Sequence, residues 1–304
     1  MSLTRTFASI LHIPRPISGA WNRAWQHKGL FFGAVFTIFF IAVALLAPYL
    51  SPYDPYAQSL VDRRIGPIWH MWAGDDARAS WAHVFGTDKF GRDYLTRLLY
   101  GARISLFIGV TAAVISGIIG STLGLLAGYF GGRVDACISF LIQFRLSIPV
   151  ILIALAVVAL FGSSLKIVIL VIGLLVWDRF AVVVRSATMQ IRSMEYISAA
   201  QAIGCSVPHI LFREILPNAF PAIIVIATIE MANAILLEAA LSFLGLGVPA
   251  PLPSWGLMIS EAKVELFFAP WMIVIPGACL FLLVLAINLL GDGMRDFTAA
   301  LRKT

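Results

Sequence analysis

Six stretches of this chain, at about 29–48, 104–128, 136–161, 167–186, 219–241 and 271–290, are each apolar over the roughly 20 residues an α-helix needs to cross a bilayer's hydrocarbon layer. They predict an all-α integral membrane protein with six transmembrane helices. Composition agrees: 60% of residues are apolar and 12% charged, more apolar surface than one soluble core of 304 residues could enclose. The formal charge of +6 does not point to nucleic acid, because the 22 basic residues are scattered between apolar blocks and form no stripe.

Those basic residues instead orient the helices. With both termini in the cytoplasm, Arg5, Arg15, Arg23, Lys28, Arg133, Arg185, Arg192, Arg213, Arg295, Arg302 and Lys303 lie inside, against Lys166 and Lys263 in short outer loops. The polar stretch Ser51–Arg103 carries seven basic residues, but long loops are translocated largely regardless of charge, so it is expected outside.

Residues 1–28 then form a cytoplasmic tail and interface helix, 29–48 the first span, 49–103 a periplasmic segment, 104–290 a core of five spans, and 291–304 a cytoplasmic tail. Trp21 and Trp25, four apart in a basic segment, share one face of a short amphipathic helix ahead of a retained anchor rather than a cleaved signal peptide. Cys137, Cys205 and Cys279 match neither a zinc nor a disulfide spacing and are read as packing residues.

No G-x-x-x-x-G-K-[ST] loop is present, so uphill transport would need another subunit to hydrolyse nucleotide. The segment 187–217 between spans four and five is suited to contact it. Ser198 followed by Gln201 fits a capping box, and Gly204 can take the left-handed conformation that ends a helix. Ser206 with Pro208 predicts a second helix through Phe212 to Leu216, interrupted by Pro217 at the membrane entry. A capped helical loop is by itself also an ordinary surface connection.

The order Ser198-Ala-Ala, Gly204, Ile215-Leu-Pro217 resembles the E-A-A, G, I-x-L-P docking loop of permease subunits of bacterial ABC importers. Phe85–Asp93, Ala127–Gly132, Leu241–Gly247, Pro253–Gly256 and Asn288–Asp296 look like the second (C-type) permease of dipeptide, oligopeptide and nickel importers, in the family's order. The likeness implies the type I ABC importer permease fold, with ATPase coupling through Ser198, Ala199, Ala200, Gly204 and Pro217. It also implies two P-loop ATPase partners holding ATP and Mg, a second homologous permease subunit, a periplasmic solute-binding protein and a peptide substrate. This chain would bind no cofactor and carry no catalytic residue. Ser198 replaces the family's usual Glu, so a charge contact with the ATPase is expected to be absent, and Val182 stands where the family often has Arg.

Ionisable groups at bilayer depth mark candidate pathways. Glu230 lies mid-span with Asn233 on the same helical face, and either draws a cationic group through or pairs with a neighbouring span. Glu238, near the outer end of that span, is the third pathway candidate, with plain solvation as the simpler reading. Arg179 is expected to snorkel inward, Asp178 to need a partner from another helix, and Arg145 to anchor at the headgroup zone with the deep part beginning near Pro149. Phe85–Asp93 reads as a turn opening a helix, and His70 and His83, lacking nearby carboxylates, as solvated rather than metal-binding. The function expected is ATP-driven import of di- or oligopeptides across the inner membrane. A nickel or small-ligand importer and an energy-independent channel are the alternatives.

Overall fold

The computed structural model describes residues 28–74 and 76–301, with side chains to residue 297. The interface helix expected around Trp21 and Trp25 lies outside these residues, as do Arg5, Arg15, Arg23, Arg302 and Lys303. Among the described residues there is no strand, only an isolated bridge between Thr87 and Asp93.

Eleven helices carry the argument: α1 Lys28–Leu50, α2 Ile68–Ala73, α3 Tyr94–Phe130, α4 Gly132–Leu146, α5 Val150–Phe161, α6 Leu165–Leu175, α7 Trp177–Arg192, α8 Glu195–Ala202, α9 Val207–Phe243, α10 Trp255–Ala262 and α11 Trp271–Leu301. Five stretches are long and apolar enough to cross a membrane: α1, α3, α6 with α7, α9 and α11. The third expected span, 136–161, is two helices, because α4 and α5 meet at an 80° bend. Pro149 causes the break: it cannot donate a backbone hydrogen bond and disfavours helix at the residue before it.

Helix ends differ from the apolar limits because capping, not hydropathy, sets them. α3 starts at Tyr94, ten positions before the apolar stretch, since Asp93 accepts from the Thr96 backbone N–H at 2.7 Å. Its 37 residues span about 55 Å, so the helix outlasts the hydrocarbon layer. α11 continues to Leu301, making most of the expected tail helical.

The most extensive packing is between α3 and α7. Gly120, Gly124 and Gly128 recur every fourth residue along α3, and a Cβ on Gly124 would lie 2.7 Å from the Ala181 carbonyl oxygen of α7. This small-xxx-small spacing lets two backbones approach where lipid offers no hydrophobic drive to associate helices.

α3 also runs the length of the bundle. Near its start, Leu98 packs with Phe40, Trp255, Met258, Met272 and Leu283. Midway, Ile108 and Ala112 meet Val168, Ile172 and Ala234. Near its end, Leu125 and Tyr129 join Val184, Ile191, Ile197, Ile210 and Ile215, a cluster that fastens α8 to the bundle.

Cys205 and Cys279 pack against these clusters as expected, whereas Cys137 is exposed on α4. His70 and His83 are not merely solvated. His70 meets the Trp271 ring edge at 4.7 Å between centroids, and His83 Nδ1 lies 2.9 Å from Asp93 Oδ1.

Candidate functional site

Two features at different levels of the bundle bring the expected site residues into geometry. The first is the turn after α7. α8 begins at Glu195 with Met194 as an extended N-cap that makes no side-chain cap bond, so Ser198 sits inside the helix and the expected capping box is not formed. Buried Ile197 explains the offset: seating it in the apolar cluster fixes where the helix must lie, overriding the local cap signal.

The far end of α8 is as expected. Gly204 has φ +87°, its N–H donates to Gln201 O at 3.0 Å, and Cys205 N–H reaches back to Ala200 O at 3.0 Å. This is a Schellman close, and it needs a residue that tolerates the left-handed region. Space is not the constraint, for a Cβ at Gly204 would meet nothing within 4 Å.

α9 then starts with Ser206 in extended conformation and Pro208 in its first turn. Pro217 does not interrupt the helix. A π-helical turn, Ile210–Ile215, widens the spiral just ahead of it, with Leu216 N–H donating to Leu211 O. The wider turn absorbs the lost donor and the proline ring, so the chain runs unbroken into Leu216–Phe243.

The result is a rigid elbow with one face held and one free. Ile197, Ile210 and Ile215 are buried, whereas Ser198, Ala199, Gln201, Ile203 and Gly204 are exposed. Ile203 is 83% exposed and Phe212 65%, an apolar presentation around the joint. Beside it, Arg185 on α7 forms a two-pronged pair with Asp135 of α4, at 2.5 and 2.7 Å, tying the bent pair to the same base.

The second feature is a polar cluster at mid-span. Glu230 is 1% exposed, and its Oε1 accepts from Arg179 Nη1 at 3.2 Å and from Asn233 Nδ2 at 3.2 Å. Arg179 therefore reaches across to α9 rather than snorkelling, because an isolated Arg at helix centre costs about 2.5–3.5 kcal/mol to insert and a carboxylate partner offsets that. Asp178 is buried in the first turn of α7, and no basic side chain pairs with it among the described residues. Its position supplies the reason: free backbone N–H groups and the helix dipole favour a carboxylate there.

Glu238 departs furthest from expectation. It is wholly buried, its Oε1 accepting from Ser242 Oγ at 2.7 Å and from Ser254 Oγ at 2.9 Å, so it ties α9 to the N-cap of α10 instead of meeting water. Arg145 is likewise no simple interface anchor: it donates to the carbonyls of Ile148 and Leu175, satisfying the end of α6 and the α4–α5 corner.

One cluster escaped the sequence reading. Arg92 and Arg97, 2% and 1% exposed, both donate to Asp88 Oδ2 at 2.6 Å and both reach Glu261 of α10. The i, i+4 and i, i+9 spacing about Asp88 was visible, but the fourth member lies more than 160 positions away.

A bundle of apolar helices that presents a firmly closed helical elbow and pairs most of its buried charges with other side chains is the architecture of a membrane permease. The chain belongs to the family of binding-protein-dependent transport system inner membrane components, whose model matches residues 120–300. The N-terminal transmembrane domain of oligopeptide transport permease C matches residues 15–67.

Among its relatives, the dipeptide transport system permease protein DppC of Alkalihalophilus pseudofirmus is 40% identical, over 92% of this chain and 88% of the relative. The glutathione transport system permease protein GsiD of Pectobacterium atrosepticum is 39% identical, over 91% and 89%. The fold is also that of the solved inward-facing MetNI methionine ABC transporter, at TM-score 0.55 and 20% identity, covering 67% of this chain and 95% of that one. This chain is thus an ABC importer permease subunit and a multi-pass inner-membrane protein.

Proposed function

We propose that this subunit carries di- or oligopeptides inward by alternating access, driven by two separate P-loop ATPases and supplied by a periplasmic solute-binding protein. A second homologous permease completes the pathway, and this chain binds no cofactor, ATP and Mg belonging to the partners. The α4–α5 pair counts as one bent span, giving six, with both termini and α8 in the cytoplasm and the 51–93 segment in the periplasm. The distribution of Lys and Arg among the short loops supports that orientation, and relatives that are dipeptide and di/tripeptide transport permeases support the substrate class.

The observation that carries the reading is the elbow at Gly204. Its inner face is locked into the bundle through Ile197, Ile210 and Ile215 while Ala199, Ile203 and Phe212 stand free. Such a surface transmits a push from a docked ATPase to α7 and α9 without dissipating it in a flexible loop. Ala200 contributes from the inner side of the same helix, and Pro217 with its π turn sets where the push enters α9. Ser198 leaves the contact without the family's charge, so shape and apolar area dominate it. Glu230 and Asn233 support the polar part of the pathway from within α9 by holding Arg179, while the enclosed Glu238 keeps the outer end of that helix in register with α10.

The test is uptake by proteoliposomes holding the complete complex and its binding protein. Labelled dipeptide should accumulate above the external concentration with ATP on the ATPase side and stop with a non-hydrolysable analogue. Equilibration without ATP would support the channel reading and overturn this one.

A further inference from the structure

Arg179 and Glu230 stand at the middle of two 28-residue helical stretches, Leu165–Arg192 and Leu216–Phe243. Their exposures are opposite: the Glu230 side chain is 1% accessible and that of Arg179 57%. Glu230 Oε1 takes one N–H from Arg179 and one from Asn233, so the carboxylate is enclosed and engaged. With 1% of its surface accessible, the Glu230 side chain offers almost nothing to a solute, whereas the Arg179 side chain bonded to it does. A direct contact between Glu230 and a cationic group of the solute, which sequence alone suggested, is therefore blocked.

Arg179 is placed the other way round. A guanidinium carries five N–H donors on a planar fork, and Glu230 engages one edge of it at Nη1. The remainder stands on the surface of the subunit at a depth where hydrocarbon would not tolerate it, which turns this face toward water or a polar ligand. The fork's geometry matches a carboxylate with two parallel hydrogen bonds, a match that a lysine cannot give.

We infer that Arg179 is the pathway group that engages an anionic end of the solute, the terminal carboxylate of a peptide, and that Glu230 and Asn233 are positioning residues that hold its guanidinium toward the pathway. The inference rests on the peptide-importer reading above. A carboxylate on the open edge and Glu230 on the closed edge would leave Arg179 between two anions, so binding draws on a pre-set charge rather than on a side chain recruited from solution.

The experiment compares uptake of a dipeptide with a free C-terminal carboxylate and of its C-terminally amidated analogue, each saturating the binding protein, by proteoliposomes of the whole complex. The same binding protein serves wild type and variants, so its own preference cancels when free-to-amidated ratios are compared. Arg179→Gln should lower that ratio about tenfold, the loss expected for one charge-assisted contact, with Arg179→Lys in between. Glu230→Gln should lower it less, because the amide still bonds the guanidinium.

ATPase stimulation by the loaded binding protein reports that each variant complex is assembled. If Arg179→Gln does not assemble, the partial fall in Arg179→Lys carries the test. A ratio unchanged from wild type, whether uptake is intact or reduced equally for both peptides, overturns the inference. Wild-type complex that accumulates neither peptide overturns the peptide reading and this inference with it.

Discussion

Gly204 concentrates the coupling question in one backbone angle. At φ +87° a residue with a Cβ pays about 1–2 kcal/mol for the left-handed conformation, although the space around the position is open. Gly204→Leu should therefore leave the complex assembled, as judged by co-purification of the ATPases, yet abolish uptake by shifting the exposed face of α8. Gly204→Asn, which visits that region more readily, should keep a measurable fraction of transport. Wild-type uptake by Gly204→Leu would sink the lever reading.

At the scale of elements, the α3–α7 contact depends on the stripe Gly120, Gly124 and Gly128. A valine at Gly124 would press against the Ala181 carbonyl and the Arg185 amide, neither of which can move aside as a flexible side-chain tip would. Gly124→Val should destabilise the detergent-solubilised protein by about 2–3 kcal/mol, seen as a lower thermal midpoint. Gly277, in helical backbone of α11 where a Cβ would meet nothing within 4 Å, is the control: Gly277→Ala should leave the midpoint unchanged or slightly raised. An equal drop in both variants would remove the close-packing argument.

For the whole molecule, the 51–93 segment is bound to the bundle by the buried network of Asp88, Arg92, Arg97 and Glu261, with Arg64 adding a pair to Glu265. Asp88 is the hub, and removing its charge leaves two buried guanidinium groups sharing the single carboxylate of Glu261. Asp88→Asn should cost about 3–5 kcal/mol and open the segment to limited proteolysis. Glu261 is 16% exposed and water can replace part of it, so Glu261→Gln should be milder. Equal protease resistance in wild type and Asp88→Asn would show that apolar packing of Phe85 against the cluster of Leu98 and Trp255 suffices to hold the segment.

The sequence alone determined that this chain is a helical membrane protein, roughly where its spans lie, and which loop carries a short helix closed by glycine. These properties are local: hydropathy over 20 residues, a glycine after a short helix, and a run of motif residues in order. Gly204 was legible for that reason, whereas the 80° bend at Pro149 was not, because the apolar run continues through it. Tertiary structure decided the partners. Arg179 and Glu230 are 51 positions apart, Asp135 and Arg185 50, and Arg97 and Glu261 164, so no local pattern pairs them. It also decided the start of α8, where burying Ile197 outweighed the cap signal of Ser198, and the enclosure of Glu238 by serines from two elements. In lipid the cost of an unpaired charge is high but carries no sequence address, and only the packed bundle shows which distant residue meets it.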